Sequence, residues 1–428
     1  MFQAVMFQVF KYPKSKEFGM NSKKVQKNAT IFFAILLIIP VLLTLSKPTA
    51  ATPEPAVKPA YAVMDKNALT ISLTAADPAI GTLSADPENK YELRIKVTDG
   101  KGAAAPFADV QLSVAGTAAS VGSFDPLNGT TDADGCFTSY FIPPAALDLN
   151  SSGKWDAGKS AGTSDVNNTY GTVIAELKAK LAGTNKTSTL KIKLIPVPIV
   201  MVHGYQASPD IFSGLRVYLS AWGYSSTAFD YESEKGIASA AAELSNYLVK
   251  KSSELKAEGV QAKRFDLVTH SMGGLVARYY TCGEGCVSNN NIRKLIFISV
   301  PQKGSPFASL GLQYYSDDSI RDMATDSELM AGVFPSMINS GLNPSIETGN
   351  ILDRFDEVVS IQNASLSEWK INTEIFDVGE SNLTVDKLVN GEILKATNHK
   401  RILYNMKVYQ RIVEMLGRQM PYPTSLSK

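Results

Sequence analysis

The chain has 428 residues, a length that suggests two or three domains. Hydrophobic residues make up 44% of it and charged residues 19%, as in ordinary globular proteins. The 42 Lys and Arg residues are balanced by 41 Asp and Glu residues, so the basic surplus of a typical nucleic-acid-binding protein is missing. The three cysteines are too few for a disulfide-built scaffold and lack metal-ligand spacing. Only three histidines are present, which limits the candidates for histidine-dependent chemistry.

The first element is an apolar run at residues 30–45, preceded by three lysines. A basic segment before an apolar core of this length is typical of a secretory signal, and the core is shorter than the ~20 residues of a transmembrane helix. Residues 1–47 are therefore predicted to be a signal peptide or an uncleaved anchor, and these alternatives stay open. Residues 48–66, rich in Pro and Ala, are predicted to form a linker. The protein is expected to be extracellular or held at the cell surface.

Residues 67–195 are predicted to fold as β-structure. Apolar and polar residues alternate over residues 91–97 and 173–181, as in strands with one buried face. Turn residues separate such segments, and no long helical pattern appears. These features predict a small antiparallel β-sandwich. Residues 122–143 also resemble the bacterial immunoglobulin-like repeats of surface proteins, which implies an immunoglobulin-like sandwich.

One loop in this region spaces oxygen-bearing side chains as calcium loops do. Its candidate ligands are Asp148, Asn150, Ser152 and Asp156. The twelfth position holds Lys159 instead of a glutamate, and no helix pattern flanks the loop. An ordinary polar hairpin loop is therefore favoured, and no cofactor is expected.

From Ile199 onward the pattern changes to α/β. Short apolar runs at residues 199–202, 265–268 and 295–300 are typical of strands buried on both faces. Apolar residues at helical spacing over residues 237–255 predict an amphipathic helix, and residues 402–416 predict a closing helix. Strands that alternate with helices predict a parallel sheet of βαβ units.

The segment at residues 269–274, THSMGG, lies between an apolar strand and an apolar helix. This is the context of a nucleophile elbow, in which a sharp turn exposes a serine, so Ser271 is the predicted nucleophile. Thr269 departs from the usual G-x-S-x-G pattern, which has a glycine there. The alternative is a serine that only caps a helix.

Together with VMVHGY at residues 200–205 and PQKGSP at residues 301–306, this motif resembles the α/β-hydrolase family and, within it, bacterial lipases. The resemblance implies an α/β-hydrolase fold over residues 196–428, a mostly parallel sheet flanked by helices, after the immunoglobulin-like sandwich. It also implies an oxyanion hole made by the backbone N–H groups of Tyr205 and Met272, in a loop shaped by His203 and Gly204.

The base and the acid follow from the same resemblance. His203 belongs to the oxyanion loop, and His270 precedes the nucleophile and points away from it in an elbow. His399 is left as the general base that a serine nucleophile needs. Asp356 is the preferred acid because a strand-like stretch separates it from His399, and Asp386 is the alternative. The order Ser, Asp, His agrees with that of the family.

The predicted activity is that of a serine carboxylic-ester hydrolase, either a triacylglycerol lipase or a carboxylesterase, acting on acyl esters or lipids. Apolar residues near 307–345 are predicted to form a lid that contacts a lipid interface, or else simply to cover the sheet. The alternatives are an exported surface-binding protein with an inactive hydrolase domain, and a thioesterase, amidase or acyltransferase with the same triad. The ligand of the β-region stays open.

Overall fold

The computed structural model describes residues 65–115, 121–147, 171–312, 316–378 and 397–426. The predicted signal or anchor segment lies outside these residues, and so do Asp386 and the calcium candidates Asp148, Asn150, Ser152 and Asp156. No helix in the described ranges is long and apolar enough to cross a membrane.

The amino-terminal region is built from strands in two sheets that share one hydrophobic core. Burial alternates strictly along the third strand, where Leu93, Ile95 and Val97 are buried between exposed polar residues, which confirms the strand predicted there. The described strands of this region are β1 (Thr70–Ala75), β2 (Thr82–Ser84), β3 (Tyr91–Thr98), β4 (Asp109–Ala115), β5 (Ser123–Asp125), β6 (Asn128–Thr130), β7 (Cys136–Ile142), β8 (Val173–Leu181) and β9 (Thr187–Ile195).

The sheets of this region are not both antiparallel, so the predicted antiparallel sandwich is wrong in that detail. One sheet, in the order β1-β3-β7-β5, is antiparallel. The other is mixed, because β2 runs parallel to β9 and a short strand from the second half of the chain, β12 (Val260–Gln261), runs parallel to β2. A pairing between segments so distant in the chain leaves no pattern in the local sequence. The immunoglobulin-like assignment stays a prediction.

The second half of the chain contains a six-stranded parallel sheet in the order β11-β10-β13-β14-β15-β16. Every residue of β10, β13 and β14 is buried, which confirms the strands predicted from continuous apolar runs. The strands are β10 (Ile199–Val202), β11 (Ser226–Phe229), β13 (Phe265–His270), β14 (Ile292–Ile298), β15 (Glu347–Asp353) and β16 (Thr373–Phe376).

Helices cover both faces of this sheet. Val200 and Val202 of β10 pack with α2 and α3, whereas Ile199 and Met201 face α1 and α10. The described helices are α1 (Ser213–Ala221), α2 (Ile237–Ala257), α3 (Met272–Cys282), α4 (Glu284–Asn289), α5 (Pro306–Gly311), α6 (Asp318–Met323), α7 (Phe334–Ser336), α8 (Ile361–Ala364), α9 (Thr397–Arg401) and α10 (Met406–Gly417). Single 3₁₀ or π turns lie at Lys66–Ala68, Pro209–Phe212, Leu329–Val333, Ile338–Ser340, Ser367–Trp369 and Ile402–Tyr404.

The predicted closing helix is interrupted at Asn405. The Asn405 side chain accepts hydrogen bonds from the backbone N–H groups of Lys407, at 2.9 Å, and Val408, at 3.4 Å. Asparagine is among the best N-cap residues, because its oxygen satisfies N–H groups that have no acceptor inside the helix. The long helix therefore starts at Met406, after a short 3₁₀ turn.

The apolar insertion near residues 307–345 divides into buried and exposed side chains. Six of its apolar residues join the core on one side of the sheet: Ala308, Ile320, Met323, Leu329, Phe334 and Leu342. Phe307 and Leu310 of α5 and the following Leu312 instead keep 38%, 51% and 41% of their surface exposed. The insertion thus covers the sheet and also presents apolar side chains to solvent.

The β-region and the α/β half share a polar interface at the amino ends of the parallel strands. Beside the β2–β12 pairing, Asn89 Nδ2 donates to the Gln261 carbonyl oxygen at 2.7 Å, and Gln261 Nε2 donates to Asn89 Oδ1 at 3.0 Å. Arg264, just before β13, pairs with the fully buried Asp86, with 2.7 Å between Nε and Oδ2. Arg293, at the start of β14, donates to the Ala145 carbonyl oxygen at 2.6 Å. These contacts join the two parts into one compact unit.

Arg293 provides a test of this interface. Its guanidinium also pairs with Asp266, with 2.9 Å between Nε and Oδ1, and the two side chains are only 6% and 0% exposed. Arg293→Met should lower the free energy of unfolding by about 3–5 kcal/mol, because it leaves a buried carboxylate without its counter-charge. Urea unfolding would measure this loss. The double variant Arg293→Met/Asp266→Asn should regain part of the lost stability. If the single and the double variant lost the same free energy of unfolding, the unpaired carboxylate of Asp266 would not be the cause of the loss.

Candidate active site

The predicted site residues lie at one edge of the parallel sheet. His203 directly follows β10, Ser271 directly follows β13, and Asp356 comes three residues after the end of β15. Because the carboxyl ends of parallel strands meet at the same edge, the three loops converge there. This edge is opposite to the interface with the β-region.

Ser271 occupies a sharp turn between β13 and α3. Its backbone angles are φ 52° and ψ −132°, outside the usual regions for a residue with a side chain. The Ser271 N–H donates to the Ile298 carbonyl oxygen at 3.0 Å, and the Gly274 N–H donates to the Ser271 carbonyl oxygen at 2.9 Å. A strained serine between a strand and a helix is the geometry of a nucleophile elbow.

The two glycines after Met272 are required by close packing. A Cβ on Gly273 would lie 2.3 Å from the carbonyl oxygens of Val202 and His203, and a Cβ on Gly274 would lie 2.2 Å from the Val300 side chain. On the other side of the turn, Thr269 stands where the family pattern has a glycine. Its hydroxyl is buried, but it donates to the Ile296 carbonyl oxygen at 3.2 Å and is therefore hydrogen-bonded. The departure from the family pattern is therefore compatible with the elbow.

The loop after β10 lies against the nucleophile. A Cβ on Gly204 would lie 2.7 Å from Ser271 Cβ and 3.2 Å from Ser271 Oγ, so only a glycine allows this approach. On the other side, Met272 is the first residue of α3, and its N–H has no acceptor within the helix. These are the two segments from which the oxyanion hole was predicted, at Tyr205 and Met272.

His203 is a buried structural residue of this loop. Its Nδ1 donates to the Gly204 carbonyl oxygen at 2.9 Å, and its ring stacks on Tyr231 at 4.4 Å between centroids. Burial lowers the pKa of His203, even though Asp230 lies 3.7 Å from its Nε2. The carbonyl of Gly204 belongs to the same planar peptide as the N–H of Tyr205, and the two groups point in opposite directions. By holding the carbonyl, His203 fixes the direction of the Tyr205 N–H.

His399 and Asp356 form a buried pair. His399 Nδ1 lies 2.8 Å from Asp356 Oδ2 and 3.0 Å from Oδ1, and Asp356 Oδ1 also accepts from the N–H groups of Val358 and Val359. Burial alone would raise the pKa of Asp356, but the contact with His399 and these hydrogen bonds hold it below the usual aspartate value. The ionised carboxylate accepts the Nδ1 proton, which leaves the Nε2 of a neutral His399 free of a proton and able to act as a base.

Two residues without a predicted role hold the main chain around His399. Glu357 accepts from the N–H of Asn398 at 3.0 Å and from the N–H of His399 at 3.2 Å. The ring of His270 packs on that of His399, with 4.7 Å between centroids. More than 40 residues separate each partner from His399, so no local motif signals either contact.

The buried cysteines do not contribute to this chemistry. Cys282 and Cys286 are both free thiols in the structure. Burial raises the pKa of Cys282 to about 11 and that of Cys286 to about 12, so neither forms the reactive thiolate near neutral pH. Among the residues that the structure describes, no group of three or more His, Cys, Asp or Glu side chains could hold a metal ion.

Residues 196–299 match the family model described as lipase (class 2). The matched segment includes the loop of His203 and the elbow of Ser271, and it ends before Asp356 and His399. Over this segment the chain is therefore similar to class 2 lipases. No curated protein matches the sequence.

Three solved structures are similar to part of this chain at low identity. A mature lipase of Bacillus licheniformis is 15% identical, with a TM-score of 0.39 over 52% of this chain and 92% of that chain. Aspergillus fumigatus lipase B is 14% identical, with a TM-score of 0.40 over 53% of this chain and 54% of that chain. A phospholipase of Legionella pneumophila is 13% identical, with a TM-score of 0.36 over 51% of this chain and 63% of that chain. The chain thus spans less than two thirds of the length of the last two proteins.

Proposed function

We propose that this protein is a serine carboxylic-ester hydrolase of the lipase type, acting on acyl esters through Ser271, His399 and Asp356. The observation that carries the proposal is the strained Ser271 at the end of β13, within the segment that matches the lipase model. The buried His399–Asp356 pair follows later in the chain and supports the same assignment.

In the proposed reaction, His399 Nε2 takes the proton of the Ser271 hydroxyl as Ser271 Oγ attacks the ester carbonyl carbon. Asp356 orients the imidazole and stabilises its charged form. The N–H groups of Tyr205 and Met272 hold the oxyanion, and one such donor typically contributes ~3 kcal/mol in the transition state. His399 then gives its proton to the leaving alkoxide. Finally, a water that His399 deprotonates attacks the acyl-enzyme carbonyl, and His399 returns the proton to Ser271 Oγ as the bond between Oγ and the acyl carbon breaks and the acid leaves.

The exposed apolar side chains of the insertion support a lipid substrate. Phe307, Leu310 and Leu312 lie in the chain directly after the loop that follows β14. Transfer of exposed apolar side chains from water to a lipid surface lowers the free energy. We therefore propose that this part of the insertion contacts aggregated acyl esters.

We also propose that the chain is exported, because of the basic and apolar segment at its amino terminus, and that the β-region is an immunoglobulin-like module. Cell fractionation with an antibody to residues 63–428 would test export, and recovery in the cytosol alone would contradict it.

A serine-directed fluorophosphonate should label the wild-type protein at Ser271 and should not label Ser271→Ala. The reagent reacts only with a serine whose hydroxyl is activated by a neighbouring base. Intact-protein mass spectrometry would detect the added mass. Equal labelling of the two proteins, or of neither, would favour a surface-binding protein with an inactive hydrolase domain.

Long-chain p-nitrophenyl esters should be hydrolysed faster than short ones, with a rise in rate when the ester exceeds its solubility. Phe307→Ser/Leu310→Ser should remove the rise on the aggregated ester, since it deletes apolar surface that would contact the lipid. The same variant should keep its rate on a soluble acetate ester, which serves as the matched control. A preference for short esters without interfacial activation would contradict the lipase assignment and favour a carboxylesterase. A preference for thioesters or amides would point to a thioesterase or an amidase.

A further inference from the structure

His270 is a buried side chain that the proposed reaction does not use. Its Nε2 lies 2.9 Å from the backbone carbonyl oxygen of His399, and its ring is tilted by 45° against the ring of His399. His270 is 2% exposed, and it is bonded along the chain to Ser271. One side chain therefore joins the strand that carries the nucleophile to the short helix α9 that carries the base.

The protonation state of His270 follows from its partners. A carbonyl oxygen can only accept, so the proton must be on Nε2. Its Nδ1 is buried and has no hydrogen-bond partner among the described residues. Burial, with a smaller contribution from the neighbouring His399, lowers the pKa of His270 to about 3, so the ring stays neutral. A neutral ring with its one N–H group already engaged is a hydrogen-bond donor here and not a second base.

The contact completes a set of three anchors on His399. Glu357 holds the His399 N–H, Asp356 holds the side-chain Nδ1, and His270 holds the carbonyl oxygen. The helix α9 has only five residues, too few to fix its own position by internal hydrogen bonds. The position of His399 therefore depends on these side chains from β13 and from the loop after β15.

We propose that His270 is a positioning residue, which holds the main chain and ring of His399 beside Ser271 by donating its Nε2–H to the His399 carbonyl oxygen. The inference rests on the proposed function, because it concerns the base of that triad. It predicts an effect on turnover and not on substrate binding, since His270 is buried behind the reacting groups. A misplacement of about 1 Å in a reacting group can cost on the order of 10²-fold in rate.

Three variants separate hydrogen bonding from packing. His270→Gln places an amide N–H near the former Nε2, His270→Phe keeps a ring but has no donor, and His270→Ala removes both. Fluorophosphonate titration would count the active sites in each preparation, so that kcat is expressed per competent site. We expect kcat to fall about 10- to 100-fold in the Phe and Ala variants with KM unchanged, and to stay within about threefold of wild type in the Gln variant.

The outcomes separate this inference from the proposed function. Phe and Ala variants that turn over like the wild type per titrated site, or a Gln variant as slow as the Phe variant, would overturn the positioning role. A loss of titratable sites in all three variants would make His270 a purely structural residue and would also overturn it. Failure of the wild type itself to react would overturn the proposed function, and the positioning role with it.

Discussion

Replacing His399 with alanine should lower kcat by on the order of 10⁵- to 10⁶-fold, because a serine hydroxyl is a weak nucleophile without a base. Neither of the other histidines can substitute. His203 is buried and donates to the Gly204 carbonyl oxygen, and His270 is buried and donates to the carbonyl oxygen of residue 399 itself. The fold should survive, because the backbone carbonyl that His270 contacts is still present, but the buried Asp356 loses its partner and the free energy of unfolding should fall. Steady-state hydrolysis of a p-nitrophenyl ester would measure kcat, and urea unfolding would measure the free energy of unfolding.

Ser271→Ala is the matched control for this prediction. It should lose about as much activity as His399→Ala, and the double variant should lose no more than either single variant, because the two residues act as one unit. If His399→Ala kept a tenth of the wild-type kcat, His399 would not be the general base, and the proposed mechanism would be wrong whichever aspartate is the acid.

Replacing Asp356 with asparagine should lower kcat by about 10⁴-fold, whereas Asp386→Asn should have little effect. An amide at position 356 can donate to Nδ1, which favours the imidazole tautomer with its proton on Nε2, the wrong one for a base. It also removes the negative charge that stabilises the imidazolium. Ester hydrolysis by the two variants side by side would measure the difference, and a larger loss from Asp386→Asn would transfer the role of the acid to that residue.

Asp356→Asn should also change how the stability of the fold depends on pH, and the direction of this change follows from the pKa of Asp356. The pKa of Asp356 is lowered in the folded protein, so ionisation of this group stabilises the fold above its unfolded pKa of ~4. That contribution is lost as the pH falls through the lowered folded value. Asp356→Asn should therefore unfold with less pH dependence than the wild type on the acid side, which urea titrations between pH 3 and pH 7 would measure.

The parts of the fold that sequence patterns predicted are those in which the decisive contacts are local or repeat along the chain. Strand β3 is visible as an alternation, and β13 as an apolar run, because burial on one face or on both dictates those residue types. The elbow is visible in the sequence because glycine is the only residue type that fits at positions 273 and 274, against the end of β10 and against Val300. Each of these constraints acts within a short stretch of sequence.

The contacts that no pattern predicted join segments far apart in the chain. Strand β12 has two residues, too few to show a period, and it pairs with a strand almost 180 positions earlier. Glu357 and His270 contact His399 mainly through its backbone, and backbone groups are the same at every position, so they leave no mark in the sequence. Asn405 is a different case, since its capping side chain is a recognisable signal inside an otherwise continuous helical pattern.

The polar interface at the amino ends of the parallel strands has a consequence for access to the ester. Strand β13 has six residues, so its first and last residues are about 17 Å apart at a rise of 3.3 Å per residue. Arg264 contacts the β-region just before one end, and Ser271 follows the other. A ligand held by the β-region at this interface would thus lie about the length of strand β13 away from Ser271. The Ser271 edge makes none of these interface contacts, so the lipid surface that we propose as substrate can reach it while the β-region stays in water.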